Sequence, residues 1–392
     1  MKGFGIDMYT LRLEALRRLQ VANNIDCLVL MPGANLHYFT GLTPHLSERP
    51  TVFLVPARGT PAALLPAFEA QAAQDHLAQI PSWGPAGVRL FTYRDEDGHE
   101  GAFQQAAAEL ELAGKVIGVE YLTMRLLEAR RIEQAASGCR LVATEPWLPQ
   151  LRMAKDETET ACMRRAIDIA ERALQRMMGE QAIRPGRTER QVAADLQVAL
   201  LREGGQGEAF SPIVVAGPNS ALPHAGPSDR PMQIGDLVTL DWGTVYEGYR
   251  SDITRTFVLG SPSPEIEQIY DAVLAANEAA RLAIRPGLPA QEVDRVARRA
   301  ITLAGYGDYF THRTGHGLGL ETHEPPYMVE GNLDLLRPGM TFTVEPGIYV
   351  PGLGGVRIED DVRVTEQGVE TLTTLPRDLI VLTQIPVMEE SQ

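Results

Sequence analysis

Apolar positions along the first third of the chain change period repeatedly. Residues Thr10 to Val21 place Leu11, Ala15, Leu16 and Leu19 on one side of a helix. Short β-rich runs follow: DCLVLM (26–31), TVFLVPA (51–57) and KVIGVEY (115–121). Helical and extended periods alternating in this way predict a small α/β domain. Within it, His37 and Tyr38 of NLHYFTGL (35–42) read as packing residues. Near residue 150 the texture changes. LRMAKDETE (151–159) is polar and precedes a helix that carries Met163, Ile167, Ala170, Leu174 and Met177 at steps of four and three. Asp156 is placed to cap it. The boundary therefore falls at about 150–155, with one domain over 1–152 and a second over 153–392.

The second part repeats itself. AIRPG occurs at 182–186 and again at 283–287, and each copy leads into a helix start. Thr188 and Gln191 have capping-box spacing ahead of Val192, Leu196 and Leu200. Val293, Val296, Ala297 and Ile301 follow the second copy in the same way. GDLVTLDWG (235–243) is echoed by GMTFTVEPG (339–347), so that Gly235, Thr239 and Gly243 align with Gly339, Thr343 and Gly347, and Asp241 with Glu345. Two echoes in the same order at nearly equal spacing predict a duplicated α/β half, with strands of both halves meeting at a pseudo-symmetric centre.

Chemistry enters where the strand pattern breaks. DWGTVYEGYRSD (241–252) reads as two strands around a turn at Tyr246–Glu247–Gly248, which sets Asp241 opposite Asp252. EPGIYVPGLGGVRIE (345–359) has the same plan, with Glu345 opposite Glu359 across a turn at Gly352. Like charges facing each other destabilise a sheet, and buried ions cost several kcal/mol each unless compensated. A pair of divalent cations removes the conflict. THRTGHGLGLETHE (311–324) adds His312, His316 and His323 among glycines that permit close backbone approach, and GPNSALPHAG (217–226) adds His224. Histidines beside such a cluster suit acid–base or carbonyl-binding roles.

Composition narrows the partners. Hydrophobic residues are 44% and charged residues 22% of the 392, ordinary for a globular protein with sizeable cores. The net charge of −15 has no basic patch to offset it, so nucleic acid and anionic membrane are excluded as partners. No apolar run is long enough to span a bilayer, and the N-terminal run MKGFGIDMYTLRLEALRRLQ lacks the apolar core of a leader. Cys27, Cys139 and Cys162 show no disulfide or zinc spacing, so a reduced, cytoplasmic setting is expected.

Taken together, LDWGTVYEGYRSDITRTF, TGHGLGLETHE, VEPGIYVPGLGGVRIEDD and FSPIVVAGPNSALPHAG resemble the pita-bread metallopeptidases, in particular their Xaa-Pro peptidase branch, prolidase and aminopeptidase P. The resemblance covers about residues 150–385, and the first domain fits the creatinase-like domain of that branch. It implies a mixed α/β (α+β) fold, two divalent ions per subunit (manganese first, with cobalt, zinc or iron as alternatives) and a homodimer. It implies Asp241, Asp252, His316, Glu345 and Glu359 as metal ligands, and Glu345 as general base. His224, His312 and His323 are implied to contact substrate or handle protons, with Tyr349 and Arg357 near the site or orienting Glu345 and Glu359. The substrate is then a proline-containing di- or oligopeptide, with the dipeptidase slightly ahead of the aminopeptidase. One departure stands out: prolidases often carry an arginine, for the dipeptide carboxylate, at the position of Tyr327. Arg313, Arg357, or an arginine of the first domain or a partner subunit are the candidates to replace it. Methionine aminopeptidases normally lack the first domain, creatinase-like enzymes lack the carboxylate set, and non-enzymatic relatives have usually lost ligands.

Overall fold

The computed structural model describes residues 6–80 and 87–382, which form two compact units divided between Arg152 and Met153. Residues 1–5, the start of the run weighed as a leader, lie outside the described residues.

The first unit contains helices α1 (Ile6–Ala22), α2 (Ala34–Thr40), α3 (Ala70–Leu77), α4 (Glu100–Glu109) and α5 (Leu126–Ala135). Its strands are β1 (Cys27–Leu30), β2 (Val52–Pro56), β3 (Ala62–Pro66), β4 (Arg89–Tyr93), β5 (Val116–Val119) and β6 (Arg140–Ala143). They form one mixed sheet in the order β4-β3-β2-β1-β5-β6. The predicted strands at 26–31, 51–57 and 115–121 are β1, β2 and β5. In α1 the buried face is Arg12, Leu13, Leu16 and Gln20, whereas Leu11 is 64% exposed. The expected face is thus turned, because the Arg12 guanidinium packs over the Tyr38 ring at 3.8 Å and donates to the Tyr38 carbonyl. Tyr38 is buried and its hydroxyl donates to the Leu151 carbonyl at 2.7 Å, a packing role as expected.

The second unit follows the short α6 (Gln150–Met153) with helices α7 (Glu157–Gly179), α8 (Glu189–Arg202), α9 (Pro264–Ala283) and α10 (Ala290–Leu303). Its strands are β7 (Ile213–Ala216), β8 (Leu237–Trp242), β9 (Val245–Tyr246), β10 (Tyr249–Arg250), β11 (Ile253–Leu259), β12 (Gly315–Gly317), β13 (Glu324–Met328), β14 (Thr341–Val344), β15 (Gly347–Val350), β16 (Gly354–Arg357), β17 (Asp360–Val364), β18 (Val369–Thr371) and β19 (Ile380–Leu382). One sheet runs β19-β11-β8-β7 and a second β13-β12-β14-β17-β18. Helices α7 and α8 bury Ile167, Leu174, Val192 and Leu196 against Val238, Leu240 and Trp242 of the first sheet. Helices α9 and α10 bury Ile269, Val273, Val293 and Ile301 against Phe342, Val344 and Val362 of the second. Both predicted caps are present: Asp156 and Glu159 form a capping box on α7, as do Thr188 and Gln191 on α8.

Matched backbone contacts bear out the repeat. Gly186 N–H donates to the Met232 carbonyl at 2.9 Å, and Gly287 N–H to the Leu336 carbonyl at 2.8 Å. Thr188 bridges Pro231, as Pro289 bridges Leu335. Gly235 and Gly339 both take left-handed φ, 91° and 87°, ahead of the paired strands β8 and β14. Two sheets, each covered by a helix pair, are joined by the bridge between Thr254 at the start of β11 and Glu359 just before β17. The strand ends that carry the acids meet at that seam.

The loop that bears His224 is pinned at both ends by one carboxylate. Glu189, buried at the start of α8, accepts the backbone N–H of Ala216 at 2.7 Å and of Ser228 at 2.9 Å. It also accepts the Asn219 amide and the Ser228 hydroxyl. Glu189→Ala leaves these buried donors without an acceptor and is expected to cost about 2–3 kcal/mol. Urea unfolding should show the loss, and a midpoint unchanged from the parent would contradict this account of the loop.

Candidate metal centre

The register of the two hairpins decides which side chains converge. In the first, Trp242 pairs with Ile253 and Asp241 with Thr254, which sets Asp252 opposite Gly243. Asp241 and Asp252 therefore do not face each other directly, contrary to the expectation from the midpoint. The tight turn lies at Glu247–Gly248, with Tyr246 opposite Tyr249, one residue later than that midpoint assumed. Asp252 and Thr254 are two apart and share a face, so the two aspartates are diagonal neighbours. In the second hairpin Gly347 pairs with Arg357 and Val344 with Asp360, so Glu345 and Glu359 are directly opposed, as expected.

The seam between the halves brings these pairs together. Thr254 bridges Glu359, and the Asp252 N–H donates to Asp361 Oδ2 at 3.1 Å. Among the described residues, Asp252, His316 and Glu359 form a buried group whose ligand atoms all lie within 4.8 Å of one another. Glu345 joins it, with Oε1 3.2 Å from His316 Nε2, and keeps one edge open at 15% side-chain exposure. His316 Nε2 also lies 3.6 Å from Asp252 Oδ2. Asp241 is buried at the side of the group, its Oδ2 held by Arg357 Nη2 at 2.6 Å and its Oδ1 without a hydrogen-bond partner. The imidazole enters because β12 consists of Gly315, His316 and Gly317, and a Cβ on either glycine would collide with the neighbouring backbone.

Arg357, Thr254, Tyr349 and His312 form a chain behind the acids. Arg357 Nε donates to the Thr254 hydroxyl at 3.1 Å, and that hydroxyl donates to Glu359 Oε2 at 2.6 Å. Arg357 Nη1 donates to the Tyr349 hydroxyl at 2.9 Å and to the Pro223 carbonyl at 3.3 Å. The Tyr349 hydroxyl lies 2.8 Å from His312 Nε2, and His312 Nδ1 lies 2.7 Å from the Arg313 carbonyl. A carbonyl can only accept, so Nδ1 carries the proton and Nε2 accepts from Tyr349. Arg357 thus orients Asp241 directly and Glu359 through Thr254, while Glu345 is held by the Thr343 hydroxyl at 3.2 Å. The sequence reading missed Thr254, Thr343 and Asp361. Each sits two positions from a recognised acid on the same strand face, and that spacing was the available signal.

The substrate side is more open. His224 and His323 are both exposed, and the His323 ring lies edge-on to His316 with centroids 4.1 Å apart. His224 is close enough to His312 and His323 for its charge to act on both.

Electrostatics show what the group needs. Burial first, and then the neighbouring acids, push Asp252 and Glu359 well above the usual carboxylate range. Burial lifts Glu345 to about 7 against the opposing charge of Arg357. Burial holds His316 well below its ordinary value and His312 at about 4. Burial also works against the Arg357 charge, but Tyr349, Asp241 and Glu359 outweigh it and hold it protonated. These are the strains of acids gathered without a cation. The residues fit one: the donor set is four carboxylates and an imidazole, and Asp241 Oδ1 is a buried acceptor with no donor. His316 Nδ1 is 3.2 Å from the Gly317 carbonyl, which fixes its proton there and leaves the Nε2 lone pair facing Asp252 and Glu345.

Residues 161–366 match the model of metallopeptidase family M24, and residues 12–154 match the creatinase/prolidase N-terminal domain. The chain belongs to metallopeptidase family M24. Among M24 relatives, a probable dipeptidase PepE of Mycobacterium tuberculosis is 39% identical over 97% of this chain and 98% of its own length. An Xaa-Pro dipeptidase of Pyrococcus furiosus is 34% identical over 94% of this chain and 99% of its own. The crystal structure of dipeptidase PepE from Mycobacterium ulcerans superposes with a TM-score of 0.87 at 39% identity, covering 97% of this chain and all 100% of that one. Among the described residues no helix is long and apolar enough to cross a membrane.

The raised acids give this M24 centre a pH signature. A carboxyl whose folded pKa exceeds its unfolded value, roughly 4, contributes stability at low pH that is lost as pH rises through the folded value. The depressed histidines act oppositely, but only below their unfolded value of roughly 6.5. Above that point the acids decide, with Glu345 passing its value of about 7. Chelator-treated protein should therefore lose thermal stability between pH 6.5 and 8.5, and its gap from manganese-loaded protein should widen. A gap that stays constant or narrows in differential scanning fluorimetry would refute the assignment of these acids to a cation site.

Proposed function

We propose that this chain is an Xaa-Pro dipeptidase that holds two divalent ions on Asp241, Asp252, His316, Glu345 and Glu359. The observation that carries the reading is the buried convergence of Asp252, His316 and Glu359 beside Glu345, in a chain whose relatives include an Xaa-Pro dipeptidase. Divalent ions held by these carboxylates and the imidazole would supply an acidified water and a Lewis acid for the developing oxyanion. Bonds before proline suit this arrangement, because a tertiary amide offers no N–H to bind and the ring fixes the backbone.

The chain's own residues then take defined parts. Glu345 accepts a proton from the attacking water and returns it to the proline nitrogen as that nitrogen leaves, so one carboxylate closes the proton balance of the step. His323 and His224, on the exposed side of the cluster, hold the scissile carbonyl oxygen as donors. His312, tied to Tyr349 and through it to Arg357, helps to hold Arg357 against the acids. Manganese is the proposed native metal, since hard oxygen donors dominate the set. The free thiols of Cys27, Cys139 and Cys162 support a cytoplasmic setting. Pairing into a homodimer follows from the resemblance and is read by sedimentation.

An aminopeptidase acting on longer peptides is the second reading, favoured by Tyr327 standing where a carboxylate-binding arginine was expected. Matched Ala-Pro and Ala-Pro-Ala, offered to chelator-stripped protein with and without Mn²⁺, decide between them. Metal-dependent cleavage chiefly of Ala-Pro is expected. Preference for Ala-Pro-Ala would transfer the assignment to the aminopeptidase, and cleavage of neither after metal is restored would remove both.

A further inference from the structure

A dipeptidase must recognise a free carboxylate one residue beyond the bond it cuts, and it must do so beside a cluster of acids. The cations around the centre are nearly all committed. Arg357 uses Nε, Nη1 and Nη2 on Thr254, Tyr349, Pro223 and Asp241. Lys155 is buried against Glu324 at 2.5 Å, Arg298 pairs with Asp294 at 3.0 Å, and Arg255 pairs with Asp360 at 2.8 Å.

Arg313 is different. It is half-buried, three residues before His316, and among the described residues no carboxylate lies within ion-pair distance of it. Its guanidinium carbon lies 4.5 Å from the centroid of the Tyr327 ring. Tyr327 is itself the register partner of His316 across β12 and β13. Among the described residues the Arg313 side chain donates to no acceptor, so its N–H groups remain available to a carboxylate, which a guanidinium can bind with two parallel bonds. A carboxylate partner would instead occupy those donors. The charge of Arg313 reaches His316, His323 and Glu345, so it acts on the open side of the cluster.

We propose that Arg313, held over the Tyr327 ring, receives the C-terminal carboxylate of the substrate and so makes the site select dipeptides. The inference rests on the Xaa-Pro dipeptidase reading and deepens it. The Tyr327 ring lies under a guanidinium supplied from the entry to the adjacent strand β12.

The test compares Ala-Pro with its carboxamide, Ala-Pro-NH2, on the manganese-loaded full chain. The parent should prefer the acid. In Arg313→Ala the ratio of kcat/KM for acid over amide should fall roughly 10- to 100-fold, chiefly through KM for the acid, as loss of a charge-assisted pair predicts. Arg313→Lys should recover part of the ratio. Metal content and thermal unfolding of each variant establish that the centre is intact. An unchanged ratio, or equal losses on both substrates, would overturn the proposal and leave Arg313 a packing residue. A parent that cleaves neither substrate would refute the peptidase reading instead. Arg313 would then be judged by calorimetric binding of L-proline against L-prolinamide, where an acid preference lost in Arg313→Ala upholds it and equal affinities in the parent overturn it.

Discussion

Mutual repulsion among the buried acids is the constraint around which the second unit is built. Asp241, Asp252 and Glu359 are each at most 8% exposed, and Glu345 and Asp361 crowd the same seam. Removing even one such charge from water costs several kcal/mol, so no fold gathers them for stability alone. The structure compensates in part with one fixed cation, Arg357, and with hydroxyl donors from Thr254 and Thr343. One guanidinium cannot balance four carboxylates. The remaining acidity is what the proposed metal ions would neutralise, and folding and metal binding would then be coupled through it.

The duplication explains how the acids come to one place, and its asymmetry explains why they do not simply repel. Asp241 and Glu345 occupy equivalent positions at the ends of β8 and β14. Their partners are not equivalent. Thr254 stands opposite Asp241 where Glu359 stands opposite Glu345. Asp252 stands opposite Gly243, where Arg357 stands opposite Gly347. Each exchange replaces an acid in one half by a neutral donor or a cation in the other. The bridge between Thr254 and Glu359 then places a hydroxyl against a carboxylate across the pseudo-symmetric seam. A perfectly repeated sequence would have put like against like.

Much of this was legible from residue order alone. Helices α7 and α8 follow from apolar spacing and from caps at Asp156 and Thr188, because those signals are local. The second hairpin was placed in register because its Pro/Gly turn is symmetric about Gly352. The first was misplaced by one residue, since the left-handed pair Glu247–Gly248 sets a turn that a midpoint between two aspartates cannot locate. The face of α1 was misread because Arg12 is buried by stacking on a tyrosine 26 residues away, a tertiary contact with no local sign. The Thr254 relay joins residues more than a hundred positions apart, so its only trace in the sequence was the two-residue spacing from Asp252.

Arg357 and Arg313 show how one side-chain type serves two ends in a single site. The first is buried at 4%, with donors on three of its nitrogens directed to fixed acceptors, so its charge is part of the frame. Moving it would unbalance Asp241 and, through Thr254, Glu359. The second lies over a tyrosine ring, a contact that neither neutralises its charge nor consumes its hydrogen-bond donors. In a chain of net charge −15 a half-buried guanidinium with no carboxylate beside it is an unusual expense of solvation. Its position explains the exception. A cation already neutralised by a protein carboxylate would have to exchange one anion for another when substrate arrives. In the proposed role Arg313 would gain its first anion from the substrate, so the favourable electrostatic change would appear in binding and not in folding.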